Sequence, residues 1–405
     1  MIGTSSALWL PFTQMAHAQG NVRSFVRGEG NYLIDADGRR IFDAVSSIWT
    51  TVHGHCHPAI VAAIARQAAV LDHATLLGAR HPLAEELAAR IAALTGLDHV
   101  LFAGDGASAV ETALKLAVHY WQEQGEPQRT RFVHLVHAYH GDTAGAMSVS
   151  DIGVFKQRYG ALTFETRAYD GCDSLEGDDL AAVIVEPIVQ AAAGMRIVPR
   201  EAYDAVRASR ALLIVDEIAT GFGRTGTMFA YEQLSIRADV LCLGKSLSGG
   251  TLPISATVVN KRIFDAFTGR YDESKQLFHG HSFAGNPITC AAALANLQLF
   301  SDEKTLDRLA TLTGELAMHL ELLRSHPNVV AVRNTGLMIG IEIDAQRIGA
   351  EDAPTPAWRV AAELYRRGYF TRPIGQTIQL VPPLSSTPDE LAAFCRNLHD
   401  ILDTR

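Results

Sequence analysis

Two residues of this chain are suited to covalent chemistry, because each follows an apolar segment that predicts a buried strand. Asp216 ends the run Ala211-Leu-Leu-Ile-Val215, and Lys245 lies in Leu241-Cys-Leu-Gly-Lys-Ser-Leu-Ser-Gly-Gly250. A lysine flanked by small residues can reach a carbonyl carbon and form a Schiff base. An aspartate at the end of a buried strand can hold a positive charge on a ring nitrogen. The pair therefore indicates pyridoxal 5'-phosphate (PLP), whose chemistry needs both groups.

Small residues at the start of a predicted helix could bind the phosphate. Gly104-Asp-Gly-Ala-Ser-Ala-Val-Glu111 follows a predicted strand, and backbone N–H groups at such a helix start can bind an anion. A capped helix without a ligand has the same pattern, so the segment alone leaves both interpretations open. Ser282 could donate its hydroxyl to a phosphate, or it could be an ordinary loop serine.

Aromatic and arginine side chains offer contacts to a flat cofactor and to a carboxylate. Tyr139, beside His140 and Gly141, could stack on a ring, although a buried turn tyrosine is the more usual role. Arg372 offers a bidentate fork for a carboxylate, with a surface salt bridge as the alternative. Arg224 lies in a glycine-rich loop, and we expect it to form a structural ion pair.

Three histidines alternate in the segment Val52-His-Gly-His-Cys-His57. On a strand they would share one face, as the ligands of a metal site can. No cysteine or carboxylate group elsewhere completes an obvious ligand set, so we expect hydrogen bonding and loop packing, and no metal.

The elements that position these residues alternate between helices and apolar strands. Near the N-terminus, residues 30–38 predict a strand and a tight turn, and residues 40–43 predict a second strand. Continuous apolar runs separated by helices are typical of a mostly parallel sheet covered on both faces. The predicted strands are 99–103, 131–136, 181–186, 211–216 and 238–243, and the predicted helices are 58–71, 82–94, 109–122 and 287–300.

The composition limits the classes of function. The chain has 405 residues, 48% of them hydrophobic, so it can bury a large core. A net charge of -9 and the lack of a basic run argue against a nucleic-acid partner. No apolar stretch is long enough to predict a membrane span. Five dispersed cysteines fit reduced thiols, so we expect a cytoplasmic location.

Six segments, taken in their order, resemble the class III aminotransferases, which are PLP enzymes of fold type I. They are GDGAS, YHGD, VEP, VDEIATGFGRTG, LGKSLSGG and HGHSFAGNP. Within that class the chain most resembles the diaminopelargonate (8-amino-7-oxononanoate) aminotransferases of biotin synthesis, through residues 9–15, 46–49, 138–143, 278–282 and 371–375. Ala219 also stands where many other class III members carry a glutamine.

The resemblance implies an α/β fold with a mostly parallel sheet in a large domain and a smaller α+β domain built from both termini. The implied boundaries are 1–57 for the N-terminal segment, 58–300 for the large PLP-binding domain and 301–405 for the C-terminal part. It also implies a homodimer with shared active sites.

The resemblance assigns roles to single residues. Lys245 would form the Schiff base and shuttle a proton, and Asp216 would hold the ring nitrogen. The amides of Gly106 and Ala107 would bind the phosphate, and Ser282 would reach it from the partner subunit. His281 would also be a cofactor-binding residue. Tyr139 would stack on the ring and Arg372 would hold the substrate carboxylate. The remaining substrate-binding residues would be Phe12, Ile48, Trp49, Asp142 and Gly280.

The implied reaction transfers an amino group from a small-molecule donor to the keto acid 8-amino-7-oxononanoate, which gives 7,8-diaminononanoate. Phe12, Ile48 and Gln379 replace aromatic residues of the enzymes that use S-adenosylmethionine, and Ala107 replaces a serine or threonine. The start Leu10-Pro-Phe-Thr-Gln-Met15 and the pair Ile48-Trp49 look more like the branch that uses lysine, so both donors stay open. The alternatives are another omega-amino acid or diamine aminotransferase, a semialdehyde aminomutase and, least of all, a PLP-binding regulator.

Overall fold

A computed structural model describes residues 7–18, 22–171, 175–350 and 353–404. Its strands, in chain order, are β1 (Phe25–Glu29), β2 (Tyr32–Asp35), β3 (Arg40–Asp43), β4 (His99–Ala103), β5 (Arg131–Leu135), β6 (Arg167–Tyr169), β7 (Leu180–Val185), β8 (Val189–Gln190), β9 (Arg196–Ile197), β10 (Leu212–Asp216), β11 (Val240–Leu243), β12 (Ser255–Val259), β13 (Val329–Thr335), β14 (Met338–Ile343), β15 (Tyr369–Phe370) and β16 (Thr377–Leu380).

The helical segments surround these strands. In chain order they are α1 (Met15–Ala18), α2 (Ser46–Trp49), α3 (Pro58–Ala68), α4 (Pro82–Thr95), α5 (Gly106–Glu123), α6 (Ala144–Ser148), α7 (Gly153–Lys156), α8 (Ala202–Ala208), α9 (Lys261–Ala266), α10 (Pro287–Asp302), α11 (Thr305–Arg324), α12 (Pro356–Arg366) and α13 (Pro388–Asp403). Five short 3-10 segments complete the set, at 157–162, 191–193, 230–233, 245–248 and 273–275.

The central sheet has seven strands in the order β4-β12-β11-β10-β7-β5-β6. Only β12 runs antiparallel to its neighbours, and the other four neighbouring pairs are parallel. Strands β7, β10 and β11 are buried along their whole length, because other elements cover both faces of the sheet. The predicted fold class, α/β with a mostly parallel sheet, is confirmed.

The apolar runs predicted the strand positions to within two residues at each end. The sequence did not predict β12, because its letters Ser-Ala-Thr-Val-Val mix polar and apolar residues without a clear period. The four predicted helices, α3, α4, α5 and α10, begin within three residues of the predicted positions. Three of them, α3, α4 and α10, have proline at the first helical position, where its missing N–H costs nothing.

Both ends of the chain contribute to the smaller sheets. β15 joins the N-terminal strands in the order β1-β2-β3-β15, pairing Phe370 with Asp43. A separate antiparallel sheet has the order β13-β14-β16. The domain boundaries at residues 57 and 300 stay a prediction.

Four of the five cysteines lie among the described residues. Cys56, Cys242, Cys290 and Cys395 are free thiols, and Cys172 lies outside the described residues. Across the described ranges, the helices lack the length and apolar character that crossing a bilayer requires.

Candidate active site

Asp216 and Lys245 lie at the carboxyl ends of two neighbouring strands of the central sheet. Asp216 is the last residue of β10, and Lys245 follows β11 after one glycine. Because the two strands are parallel and hydrogen-bonded, their carboxyl ends open on the same side. A cavity of about 450 Å³ lies there, lined by Trp49, Asp105, Gly106, Ala107, Tyr139, His140, Gly141, Asp142, Thr143, Glu186, Ala192, Asp216, Ile218, Ala219 and Lys245.

Hydrogen bonds to both carboxylate oxygens fix the Asp216 side chain. His140 Nδ1 lies 2.7 Å from Oδ2, and the backbone N–H of Ile218 donates to Oδ1 at 3.0 Å. His140 is buried, and its other ring nitrogen has no partner among the described residues. Since an aspartate in this position accepts a hydrogen bond from imidazole, its carboxylate is held in one orientation toward the cavity.

The Lys245 amine faces an aromatic wall. Its Nζ lies 5.3 Å from the centroid of the Trp49 ring, within cation–π range. Burial lowers the pKa of Lys245, and the carboxylates of Asp216 and Glu186 oppose that shift. The lowered pKa favours the neutral amine, which is the nucleophilic form.

Tyr139 forms a second wall of the cavity. Its hydroxyl donates to Asp142 Oδ2 at 2.9 Å, and its backbone N–H donates to Glu186 Oε2 at 3.0 Å. Burial, with Asp142 close by, raises the pKa of Tyr139 far above its usual value. The side chain therefore stays a neutral phenol, suited to packing against a ring rather than to removing protons.

The N-terminus of α5 opens into the same cavity. Asp105 caps the helix by accepting from the N–H of Ser108 at 2.9 Å. Across the described part of the chain, the amides of Gly106 and Ala107 have no acceptor. A Cβ on Gly106 would meet Ile218 Cγ2 at 2.9 Å, so a glycine is needed for this approach. Two free amides at a helix N-terminus suit a phosphate group.

These features fit PLP as a set. A carboxylate, an amine and a helix start with two free amides face one cavity, and the rings of Trp49 and Tyr139 form part of its wall. Ala107 offers no hydroxyl, as the sequence indicated, and the nearby Thr143 hydroxyl is already committed to Glu111 Oε1 at 2.6 Å. The phosphate would therefore depend on backbone amides of this subunit.

Trp49 stands on a strained backbone turn. All four residues of α2, Ser46 to Trp49, have positive φ angles between 48° and 68°, which L-residues rarely adopt in succession. The buried Arg224 holds the turn by donating to the carbonyls of Pro382 and Thr51, both at 2.7 Å. The prediction that Arg224 forms an ion pair was wrong. Among the described residues, Arg224 donates to backbone carbonyls and to the Ser46 hydroxyl.

Known proteins resemble this chain along nearly its whole length. The family model for class-III aminotransferases matches residues 14–402. The chain belongs to the class-III aminotransferases. It is therefore an aminotransferase, and PLP is the cofactor of this family.

Curated relatives and solved structures agree with this assignment. The chain is 41% identical to the adenosylmethionine-8-amino-7-oxononanoate aminotransferase of Nitratidesulfovibrio vulgaris, covering 95% of this chain and 78% of that protein. For the protein of the same name from Aquifex aeolicus, the identity is 39%, with 95% and 92% covered.

Two solved structures share the fold closely. The crystal structure of adenosylmethionine-8-amino-7-oxononanoate aminotransferase from Methanocaldococcus jannaschii superposes with a TM-score of 0.91 at 36% identity, covering 98% of this chain and 96% of that one. A PLP-bound amine transaminase from an uncultivated Pseudomonas species gives 0.90 at 32% identity, with 98% of each chain covered.

Seven of the predicted site residues line the cavity of this class-III aminotransferase: Trp49, Gly106, Ala107, Tyr139, Asp142, Asp216 and Lys245. Two others reach it through one intermediate side chain. Phe12 packs edge-on against Phe155, which packs against Tyr139. Arg372 donates to the carbonyl of Phe12 at 3.0 Å, and its own carbonyl accepts from Gln379.

The remaining predicted residues lie away from the cavity of this protomer. Ile48 is 38% exposed on the strained turn. Gly280, His281 and Ser282 lie on the segment before α10, where the His281 ring packs against His279.

The three alternating histidines bind carboxylates on two different elements. His53 and His57 both contact Glu303 at 3.1 Å, and His55 contacts Asp43 at 2.9 Å. They thus have the hydrogen-bonding role that the sequence analysis favoured.

Among the cavity residues that received no role in the sequence analysis, two support other residues of the site. His140 orients Asp216, and the buried Glu186 anchors the Tyr139 backbone. Burial raises the pKa of Glu186 well above its usual value, so the carboxyl holds its proton more tightly. For Glu186 the available signal was a carboxyl group at the end of a predicted strand, since such residues meet at the edge of a parallel sheet. His140 lies four residues beyond the predicted strand 131–136, so its contact with Asp216 had no comparable signal.

Proposed function

We propose that this class-III aminotransferase converts 8-amino-7-oxononanoate to 7,8-diaminononanoate with PLP, in biotin synthesis. The observation that carries the proposal is the near full-length similarity to relatives of that named activity, at 41% and 39% identity. The cavity supports it with an amine, a carboxylate and a helix start in one place.

Bound PLP supplies a carbonyl for amine exchange and a ring that accepts electrons. Lys245 would hold that carbonyl and, once displaced by the donor amine, would move a proton between the substrate carbon and the cofactor carbon. Its lowered pKa makes the free amine available at lower pH than for an exposed lysine, which this proton transfer needs.

His140 and the Ile218 amide fix the Asp216 carboxylate toward the cavity. Its negative charge would therefore lie beside the ring nitrogen and keep that nitrogen protonated. Tyr139 would stack on the ring, with its hydroxyl directed to Asp142. Arg372 would hold the substrate carboxylate, and the substrate would replace the Phe12 carbonyl as its acceptor.

The phosphate would lie at the amides of Gly106 and Ala107 and receive the Ser282 hydroxyl from the partner subunit. Exposed apolar side chains near Ser282 support a homodimer: Phe278 is 66% exposed, Phe283 71% and Leu77 67%. Clustered apolar side chains of this size usually mark a protein interface. A cytoplasmic location remains part of the proposal and rests on the dispersed cysteines.

The donor would be S-adenosylmethionine or lysine. The names of the relatives favour the first. The residues Phe12, Ile48 and Gln379, which replace aromatic residues of the adenosylmethionine-using enzymes, favour the second.

A half-reaction screen tests the proposal and names the donor. PLP-loaded protein would be mixed separately with lysine, S-adenosylmethionine, ornithine, glutamate and alanine while the cofactor absorbance is followed. We expect lysine or S-adenosylmethionine to convert the cofactor to its pyridoxamine form, and 8-amino-7-oxononanoate to reverse the change. Conversion by other amines alone, without reversal by the oxononanoate, would leave an omega-amino acid or diamine aminotransferase in its place.

A further inference from the structure

One buried glutamine joins two walls of the candidate site that are far apart in sequence. Gln379 is 2% exposed and lies in β16. Its Oε1 accepts from the indole Nε1–H of Trp49 at 2.8 Å, and its Nε2 donates to the carbonyl of Arg372. Its own backbone carbonyl accepts from the Thr371 hydroxyl at 2.7 Å.

The strand that carries Gln379 is a firm support. β16 pairs with β14 through four residues, with Gln379 opposite Gly340. The loop with Arg372, in contrast, leaves β15, a strand of only two residues that belongs to the other small sheet. The side chain of Gln379 therefore connects that loop to a well-paired strand.

The Trp49 side chain needs such a support, because the backbone that carries it is strained. It ends the turn of four residues with positive φ angles, a conformation that costs free energy at each residue. Its ring packs in an apolar cluster with Val189 and Met338, which fixes its depth. The indole N–H bond to Gln379 fixes its rotation beside Lys245.

We propose that Gln379 is a positioning residue that sets the Trp49 ring and the Arg372 loop relative to each other, and so determines how well the carboxylate-bearing substrate fits. This inference rests on the proposed function of Trp49 and Arg372. Among the described residues, Gln379 is not part of the cavity lining, and its side chain is linked to that lining through the hydrogen bond from Trp49.

The first test measures how well the backbone amides of the two segments are protected from exchange, and it does not depend on enzyme activity. Hydrogen–deuterium exchange would be followed in residues 43–52 and 369–376 of the wild type, of Gln379→Leu and of Asn31→Leu. Asn31 is a matched control, since it is a buried amide with side-chain hydrogen bonds to Ser385 and Glu390 outside the cavity. We expect Gln379→Leu to speed exchange in both segments and Asn31→Leu to leave residues 46–49 and 371–373 unchanged.

The second test separates positioning from general stability. In Gln379→Leu we expect KM for 8-amino-7-oxononanoate to rise about tenfold, since one buried hydrogen bond is worth about that factor, while kcat changes by less than about threefold. Trp49→Phe removes the indole N–H. If both substitutions act through the hydrogen bond between Trp49 and Gln379, KM of the double variant should lie within about twofold of KM of the more impaired single variant.

A conservative variant separates the two hydrogen bonds. Gln379→Glu keeps an oxygen for the Trp49 indole and, while ionised, loses the donor to the Arg372 carbonyl. We expect a KM between those of the wild type and Gln379→Leu. Multiplying effects in the double variant, or unchanged exchange in both segments, would overturn the proposal.

These results are distinguishable from failure of the proposed function. If the protein does not use the oxononanoate, the exchange experiment still reports whether Gln379 holds both segments, and KM can be measured for the carboxylate substrate that it does use. Unchanged exchange combined with normal oxononanoate turnover would reject the role of Gln379 and leave the function standing.

Discussion

Replacing Arg224 tests whether a strained turn is essential for activity rather than for folding. Arg224 is completely buried, and burial lowers its pKa to about 9. The substitution Arg224→Met would remove its hydrogen bonds to the carbonyls of Pro382 and Thr51. The turn that carries Trp49 would then lose its main restraint.

The substitution should lower the free energy of unfolding by less than the two charged hydrogen bonds contribute to it. Each such bond contributes about 1.5–3 kcal/mol, so the two together contribute about 3–6 kcal/mol. The four residues with positive φ store about 4–8 kcal/mol, which relaxation of the turn would partly release. Methionine also removes the cost of burying a charge. We therefore expect the free energy of unfolding to fall by less than about 3 kcal/mol.

Activity should fall strongly in Arg224→Met although the protein still folds. A displacement of about 1 Å at a catalytic wall can cost about 100-fold in rate, so we expect kcat/KM to fall at least about 100-fold. Arg129→Met is the control, because Arg129 is also buried and donates to a carbonyl, that of Leu180 at 2.9 Å, and it additionally pairs with Glu126 at 2.6 Å. We expect it to lose comparable stability and to keep its activity.

The assay compares urea unfolding with steady-state kinetics for the wild type and both variants. Normal kcat/KM in Arg224→Met would refute the reasoning, since the turn would then not depend on the arginine. A parallel loss of activity in Arg129→Met would also refute it, because the effect would then follow stability alone.

Three further outcomes are expected. Lys245→Ala should abolish both the absorbance band of lysine-bound cofactor and turnover, and full activity would exclude its central role. Burial raises the pKa of Glu217 to about 7, so the folded state holds this proton more tightly than the unfolded state, and stability falls as pH rises from about 4.5 to about 7. Glu217→Gln should remove about 3 kcal/mol of that pH dependence in urea titrations, whereas an unchanged pH slope would contradict the shift. Ser282→Ala should weaken cofactor affinity about tenfold by equilibrium titration, and unchanged affinity would argue against a shared phosphate site.

The sequence predicted the elements of the sheet well, because buried parallel strands have continuous apolar runs. β10 and β11 were placed to within two residues, and the polar residues at their ends identified Asp216 and Lys245. The helix start at Gly106 was visible as a cluster of small residues. Local sequence is sufficient for such features, since each depends on neighbours in the chain.

Features that depend on distant contacts were not predictable in the same way. The letters Ser-Ser-Ile-Trp do not favour positive φ angles, and β-branched Ile48 disfavours them. The turn exists because Arg224, 178 positions away from Ser46, holds it from across the fold. The bond of Trp49 to Gln379 spans 330 positions and is equally invisible in local patterns.

The most direct test of the proposed function is a single turnover on the substrate side. Protein loaded with pyridoxamine phosphate would be mixed with one equivalent of 8-amino-7-oxononanoate, and the products would be followed by mass spectrometry and cofactor absorbance. We expect one equivalent of 7,8-diaminononanoate and return of the lysine-bound PLP absorbance. Absence of the diamine, in protein that still exchanges amino groups with another keto acid, would contradict the assignment.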